Sequence, residues 1–186
     1  AARSHPAIER VIVGNESVLR GDLTAKQLIP YLDRARRALK VPVSTAEPWH
    51  VWLKYPELAQ HVDYIAVHLL PYWEGIPRRN AIKDVLHRYD ELRAVFPDKP
   101  IVIGEVGWPS NGDRFKFATP SVADQARFLR EFFEVARERK LDYFVMEAFD
   151  QPWKMTGEGR VGAYWGMYDA ERQPKFALTG PVIDDP

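Results

Sequence analysis

The sequence predicts an α/β fold of parallel strands, arranged as a (β/α)8 barrel or part of one. Three observations lead there. Short apolar runs alternate with amphipathic stretches in a β-α-β-α-β-α-β-α-β pattern along the 186 residues, and that alternation implies parallel strands joined by right-handed crossovers. No G-x-G-x-x-G phosphate loop occurs; the first run ends instead in Val13-Gly14-Asn15-Glu16, whereas an open doubly wound sheet usually carries such a loop there. Polar and aromatic residues close almost every run: Asn15 and Glu16, Glu47, Tyr72, Glu105 and Trp108, then Glu147 and Gln151. A ring of such groups around all strand ends is barrel behaviour.

The elements follow in order. A first strand is expected over residues 9–15. Thr24-Ala25-Lys26-Gln27 fits a capping box, with Thr24 capping the helix and Gln27 reaching back. Leu28, Tyr31, Leu32, Ala35 and Leu39 then recur at helical spacing, and Pro30 kinks this helix or lies near its start. A second strand is expected over 41–46, followed by Glu47-Pro48-Trp49, with a short helix over 55–60. A third strand over 63–70 leads to a loop at Pro71-Tyr72-Trp73-Glu74-Gly75. Residues 78–96 read as an amphipathic helix through Ile82, Val85, Leu86, Tyr89, Leu92, Val95 and Phe96. The run Ile101-Val102-Ile103-Gly104 has no solvated face and marks a strand buried on both sides. Thr119-Pro120 opens the next helix with Pro at its first position. A fifth strand spans 141–149, a long glycine-rich loop 157–166, and 174–178 begins a terminal helix.

Lys and Arg together number 26, as do Asp and Glu, so the net charge is zero. That removes a general electrostatic argument for binding nucleic acid or an anionic membrane. The basic run Arg34–Arg37 reads as a solvated helix face. Without Cys there is neither a disulfide framework nor a thiolate nucleophile. No run approaches the ~18 apolar residues of a spanning helix. The chain starts at Ala1, which reads as a mature or excised segment of a longer protein. Trp49, Trp52, Tyr72, Trp73, Trp108, Trp153, Tyr164 and Trp165 fall in expected loops or strand ends, where they suit flat stacking platforms for sugars or bases.

The chemistry centres on two carboxylates. Glu105 ends a core strand and is followed by Gly107-Trp108-Pro109-Ser110, a turn expected to hold an exposed indole. A buried Glu is costly unless it is paired or used. Glu16 likewise follows an apolar strand. Two carboxylates facing a cleft lined with Trp and Tyr suit glycoside hydrolysis, one as proton donor and one as nucleophile. The competing assignment is structural, each Glu capping a helix or pairing with an Arg.

Val13-Gly14-Asn15-Glu16, the Gly104–Ser110 block and Phe149-Asp150-Gln151-Pro152-Trp153-Lys154 together resemble glycoside hydrolase family 17, its bacterial members most closely. The resemblance runs along essentially the whole chain. It implies a (β/α)8 barrel acting on β-1,3-glucan as hydrolase or transglycosylase. By the same resemblance Glu16 is the acid/base after the fourth barrel strand and Asn15 its sugar-binding neighbour. Glu105 is the nucleophile after the seventh strand, with Trp108 beside it. Tyr72 is the aromatic after the sixth, and Lys154 a lysine of the last loop. Gln151 stands where many members carry Glu, and Glu147 is the candidate substitute. The chain then covers strands four to eight, residues 1–186 forming one barrel segment without the first three strands, and Ala1–Pro6 ending the preceding helix. Five strands cannot close an eight-stranded barrel, so the missing part or self-association is expected to cover the open edges. No metal or other cofactor is required. The alternatives are a non-catalytic glucan-binding half-barrel and a β-1,4-glucan or mannan glycosidase. A periplasmic, extracellular or membrane-associated setting within a longer protein is expected.

Overall fold

Strand β1 (Val11–Asn15) opens the fold in the computed structural model, which describes residues 5–180. The expected helix end at Ala1–Pro6 lies largely outside the described residues. β1 pairs in parallel with β2 (Val43–Pro48), and β2 in parallel with β3 (Ile65–Leu69). With β4 (Ile101–Val106) and β5 (Asp142–Val145) they form a five-stranded sheet in the order β1-β2-β3-β4-β5. Spatial order therefore equals chain order, as in a barrel. The chain forms two compact units, one running to His68 and including Arg88–Gly104, the other made of Leu69–His87 and the chain from Glu105 onward.

Every residue of β2 and β3 is buried, the signature of strands covered on both faces. Helix α1 (Ala25–Ala38) carries the expected capping box at Thr24 and Gln27, contains Pro30, and buries Ala25, Leu28 and Leu32. The basic run on α1 is solvated, though Arg36 also bonds Asp63 at 2.7 Å. Strand β2 ends later than expected, so Glu47 lies inside it, and helix α2 (Trp49–Lys54) starts at once. The start of β2 is held by tertiary pairing: the Val43 N–H donates to the Asp63 carboxylate at 2.8 Å. The expected helix at 55–60 is a 3-10 turn, Pro56–His61. Trp52 is wholly buried and donates its indole N–H to the Ala66 carbonyl at 2.9 Å.

In the second unit the expected loop at 71–75 is a short helix, α3 (Pro71–Glu74), closed by Gly75 at φ 75°. Helix α4 (Arg78–Val95) links the units in sequence; Ala81, Val85, Tyr89 and Leu92 are its buried residues, while Val95 is exposed. Helix α5 (Val122–Arg139) starts later than expected, because Ser121 caps it by accepting the Asp124 N–H at 3.0 Å. Strand β5 is shorter than expected. Past it, Glu147 and Ala148 bond Trp165, Met167 and Tyr168 instead of a sheet neighbour. The expected glycine-rich loop holds a short helix, α6 (Met155–Glu158), and a 3-10 turn, Arg160–Ala163. No helix forms at 174–178; Lys175 is drawn inward, its N–H to the Met167 carbonyl at 3.1 Å.

The aromatic residues correct a further expectation. Trp52, Trp108 and Trp165 are fully buried and Tyr72 is 2% exposed, so they fill the core and are not open platforms. Trp73 and Trp153 do expose their rings, at 38% and 72%. Among the described residues no helix is long and apolar enough to cross a membrane.

Candidate active site

Glu16 stands one residue past β1, in the left-handed backbone region at φ 55°. The strand is irregular between Ile12 and Asn15, and Gly14 takes φ 83° there. A Cβ on Gly14 would lie 2.9 Å from the Ser17 hydroxyl, so glycine serves both the dihedral and the space. The Glu16 N–H donates to the Ala46 carbonyl at 2.8 Å. Its Oε1 lies 2.8 Å from Nδ1 of His68, a β3 residue whose side chain is 2% exposed. Gly104 makes room for that imidazole, since a Cβ there would lie 3.2 Å from the ring. Burial pushes the Glu16 carboxyl up, but the hydrogen bond and charge of His68, with Arg20 and His50, outweigh it and hold the group below its ordinary value. The carboxylate thus accepts from a His68 Nδ1–H. Asn15 is exposed, and its carbonyl accepts from the Arg20 guanidinium.

Glu47, in the same unit, has no exposure. Its Oε1 accepts the Val18 N–H at 2.8 Å and its Oε2 the Leu19 N–H at 3.2 Å. Burial pushes this carboxyl up; the two N–H groups oppose, and the charge of Glu16 adds to the rise.

In the second unit Glu105 is half-buried near the end of β4. Trp108, expected as an exposed indole, is fully buried, edge-on to Tyr72 and tilted on Phe128. The turn folds its ring inward, against Tyr72 and Phe128. Its indole N–H has no acceptor among the described residues. Tyr72 donates its hydroxyl to the Asp113 carbonyl at 2.7 Å; burial, then the Asp113 charge, raises its phenol. Trp73 stacks on Trp165 at 6.2 Å.

Glu147, Gln151 and Lys154 come together in this unit. Lys154 Nζ lies 2.8 Å from Glu147 Oε2, which also accepts the Gln151 amide. Glu147 Oε1 is buried and has no partner among the described residues. Trp153 donates its indole N–H to Gln151 Oε1 at 2.9 Å. Nearby, Lys175 Nζ bridges Ser110 Oγ at 2.7 Å and Asp150 Oδ1 at 2.8 Å. Burial pulls this ammonium below its ordinary value, although Asp150 opposes. His68 and the Asp150–Lys175 pair were not singled out from sequence; a lone His in the apolar run Ile65–Leu69 was the one signal for the former.

Residues 1–166 match the BtgE/BtgC glycoside hydrolase domain. The chain belongs to this domain family, within glycoside hydrolase family 17. A glucan 1,3-beta-glucosidase of Arthroderma benhamiae is 28% identical, the match covering 91% of this chain and 60% of the relative. The cell surface mannoprotein MP65 of Candida albicans is 29% identical, covering 87% of this chain and 44% of the relative. The structure of a Rhizomucor miehei beta-1,3-glucanosyltransferase, an active-site mutant in complex with laminaritriose, superposes with a TM-score of 0.84 at 27% identity, covering 93% of this chain and 65% of that one. This family-17 chain thus spans about 60% or less of the length of these curated relatives. Its five parallel strands are part of the family's (β/α)8 barrel.

For the family-17 chain, this local geometry has chemical consequences. An ionised Glu16 beside a buried imidazole can take a proton from an incoming hydroxyl. Lys154 neutralises one oxygen of Glu147 and leaves the other buried with no donor among the described residues.

Proposed function

We propose that this chain carries the two catalytic carboxylates of a retaining β-1,3-glucan hydrolase or transglycosylase. Glu105 attacks the anomeric carbon while a proton on Glu16 passes to the departing glycosidic oxygen, giving a glycosyl ester on Glu105. Glu16, now ionised, takes a proton from water or from a glucan hydroxyl, whose oxygen displaces the ester. Water gives hydrolysis and glucan gives transfer. The observation that carries this reading is Glu16 itself: a carboxylate in strained backbone at a strand end, bonded to a buried His68 at 2.8 Å. A merely structural Glu needs neither feature.

In this reading Asn15, Glu147, Gln151 and Lys154 bond sugar hydroxyls. Tyr72 and Trp108, being buried, form the wall behind the sugar, and Trp73 and Trp153 offer open ring faces. Residues 1–186 are one barrel segment, and the remaining strands come from further polypeptide or from a second copy. The relatives support a substrate of β-1,3-glucan and a place of action at the cell surface.

The test joins light scattering to laminari-oligosaccharide turnover, on this chain and on the complete enzyme. Glu105→Gln is expected to abolish turnover in the complete enzyme while leaving the fold intact. Substantial residual cleavage would overturn the nucleophile assignment, and tight glucan binding without turnover by the wild type would point to a non-catalytic binding module.

A further inference from the structure

Glu47 has no role so far, yet it is a fully buried carboxylate at the end of β2. Both of its oxygens are spent on the turn that follows Glu16, one on the Val18 N–H and one on the Leu19 N–H. The residue before it, Ala46, accepts the N–H of Glu16 itself at 2.8 Å. The turn closes with the Arg20 N–H on the Glu16 carbonyl at 2.9 Å, and the Val18 and Leu19 N–H groups inside it find their acceptors on Glu47. Glu47 thus does for this turn what a capping side chain does for a helix, from a strand about thirty positions along the chain.

Glu16 sits at φ 55°, a strained region a glutamate enters only when its surroundings over-determine it. Its own N–H and the Val18 and Leu19 N–H groups beyond it are all held from residues 46 and 47. Released from that grip, the backbone would relax toward ordinary φ and swing the Glu16 side chain off His68. A carboxylate is required for the task, because two neighbouring N–H donors need two acceptors and an amide would aim its NH2 at one of them.

We infer that Glu47 is a positioning residue for Glu16, clamping the 16–19 turn so that the Glu16 carboxyl stays on His68 and on the departing oxygen. The inference rests on the acid/base reading of Glu16 given above.

The test uses the complete enzyme and two donors: laminaritriose, whose leaving sugar needs a proton, and 2,4-dinitrophenyl β-laminaribioside, whose leaving group needs none. Glu47→Gln is expected to lower kcat/KM about 100-fold on laminaritriose, in keeping with a small misplacement, while kcat/KM on the aryl donor, which reports only the formation of the ester, is largely kept. Glu47→Asp, with both acceptors on a shorter stem, is expected to fall between, and it supplies the comparison if Glu47→Gln does not fold. Equal losses of kcat/KM on both donors, or no loss on either, would overturn the inference. Glu16→Gln is the control: if it too cleaves laminaritriose, the acid/base reading fails, whereas if only Glu16→Gln shows the leaving-group signature, the role of Glu47 fails alone.

Discussion

His68 Nδ1 and Glu16 Oε1 lie 2.8 Å apart, the imidazole 2% and the carboxylate 22% exposed. The proton on that imidazole decides which form of Glu16 prevails. Burial alone would favour the neutral acid, and His68 tips the balance to the carboxylate. Stability linked to Glu16 is therefore present above its unfolded value of about 4.3 and is lost as the pH falls through its lower folded value.

Replacing His68 by Leu leaves only the charges of Arg20 and His50 to oppose burial and raises the Glu16 carboxyl. A general acid must be protonated, so its activity fades as the pH rises through its pKa. The basic limb of the kcat/KM profile on laminari-oligosaccharide should therefore move to higher pH in His68→Leu. An unmoved limb would show that this histidine does not govern Glu16.

Lys175→Met should strand the Asp150 carboxylate, which is 7% exposed and would keep only the Gly166 N–H among the described residues. Breaking one side of a buried pair costs about 3–5 kcal/mol. Urea titration should show that loss, and the double variant Asp150→Asn/Lys175→Met should recover much of it.

Trp108→Ala should act through stability. A fully buried indole against Tyr72 and Phe128 leaves a cavity worth about 3–5 kcal/mol when truncated. A lowered thermal midpoint is expected with KM for glucan nearly preserved at a temperature where the variant is folded. A large KM effect without destabilisation would restore the stacking role expected from sequence.

Asp63 is held below its ordinary value despite burial, by the Arg36 guanidinium and the Val43 N–H. Its contribution is fully present above about pH 3.9 and disappears as the pH falls through the lower folded value. The difference in thermal midpoint between wild type and Asp63→Asn should be constant near neutrality and shrink in stronger acid. A difference that grows toward low pH would contradict the pairing.

What the sequence disclosed was local or periodic. The Thr24 capping box, the continuous apolar runs of β3 and β4, and the carboxylates at strand ends were legible because each depends on near neighbours in the chain. Burial of Trp108 was not, since Gly-Trp-Pro-Ser spells a turn and only the distant Tyr72 and Phe128 show which way the ring folds. Glu47 read as a strand-end acid, but its partners Val18 and Leu19 lie about thirty positions away. The segment 174–178 has helix-compatible residues, yet Lys175 bonds Asp150 and Ser110 and no helix forms there. Of the candidate site, Glu147, Gln151 and Lys154 were recognised one by one from sequence, while their meeting on one carboxylate depends on the fold.

The Lys175 bridge also bears on how this protein should be cut. The family match ends at residue 166, a natural place for a cloning boundary. A truncation there would discard the cation that neutralises Asp150 and steadies Ser110, four residues past Val106 at the end of β4. A recombinant piece trimmed to the recognised domain would lose the clasp on the loop behind Glu105, and its poor behaviour would be mistaken for a weak enzyme.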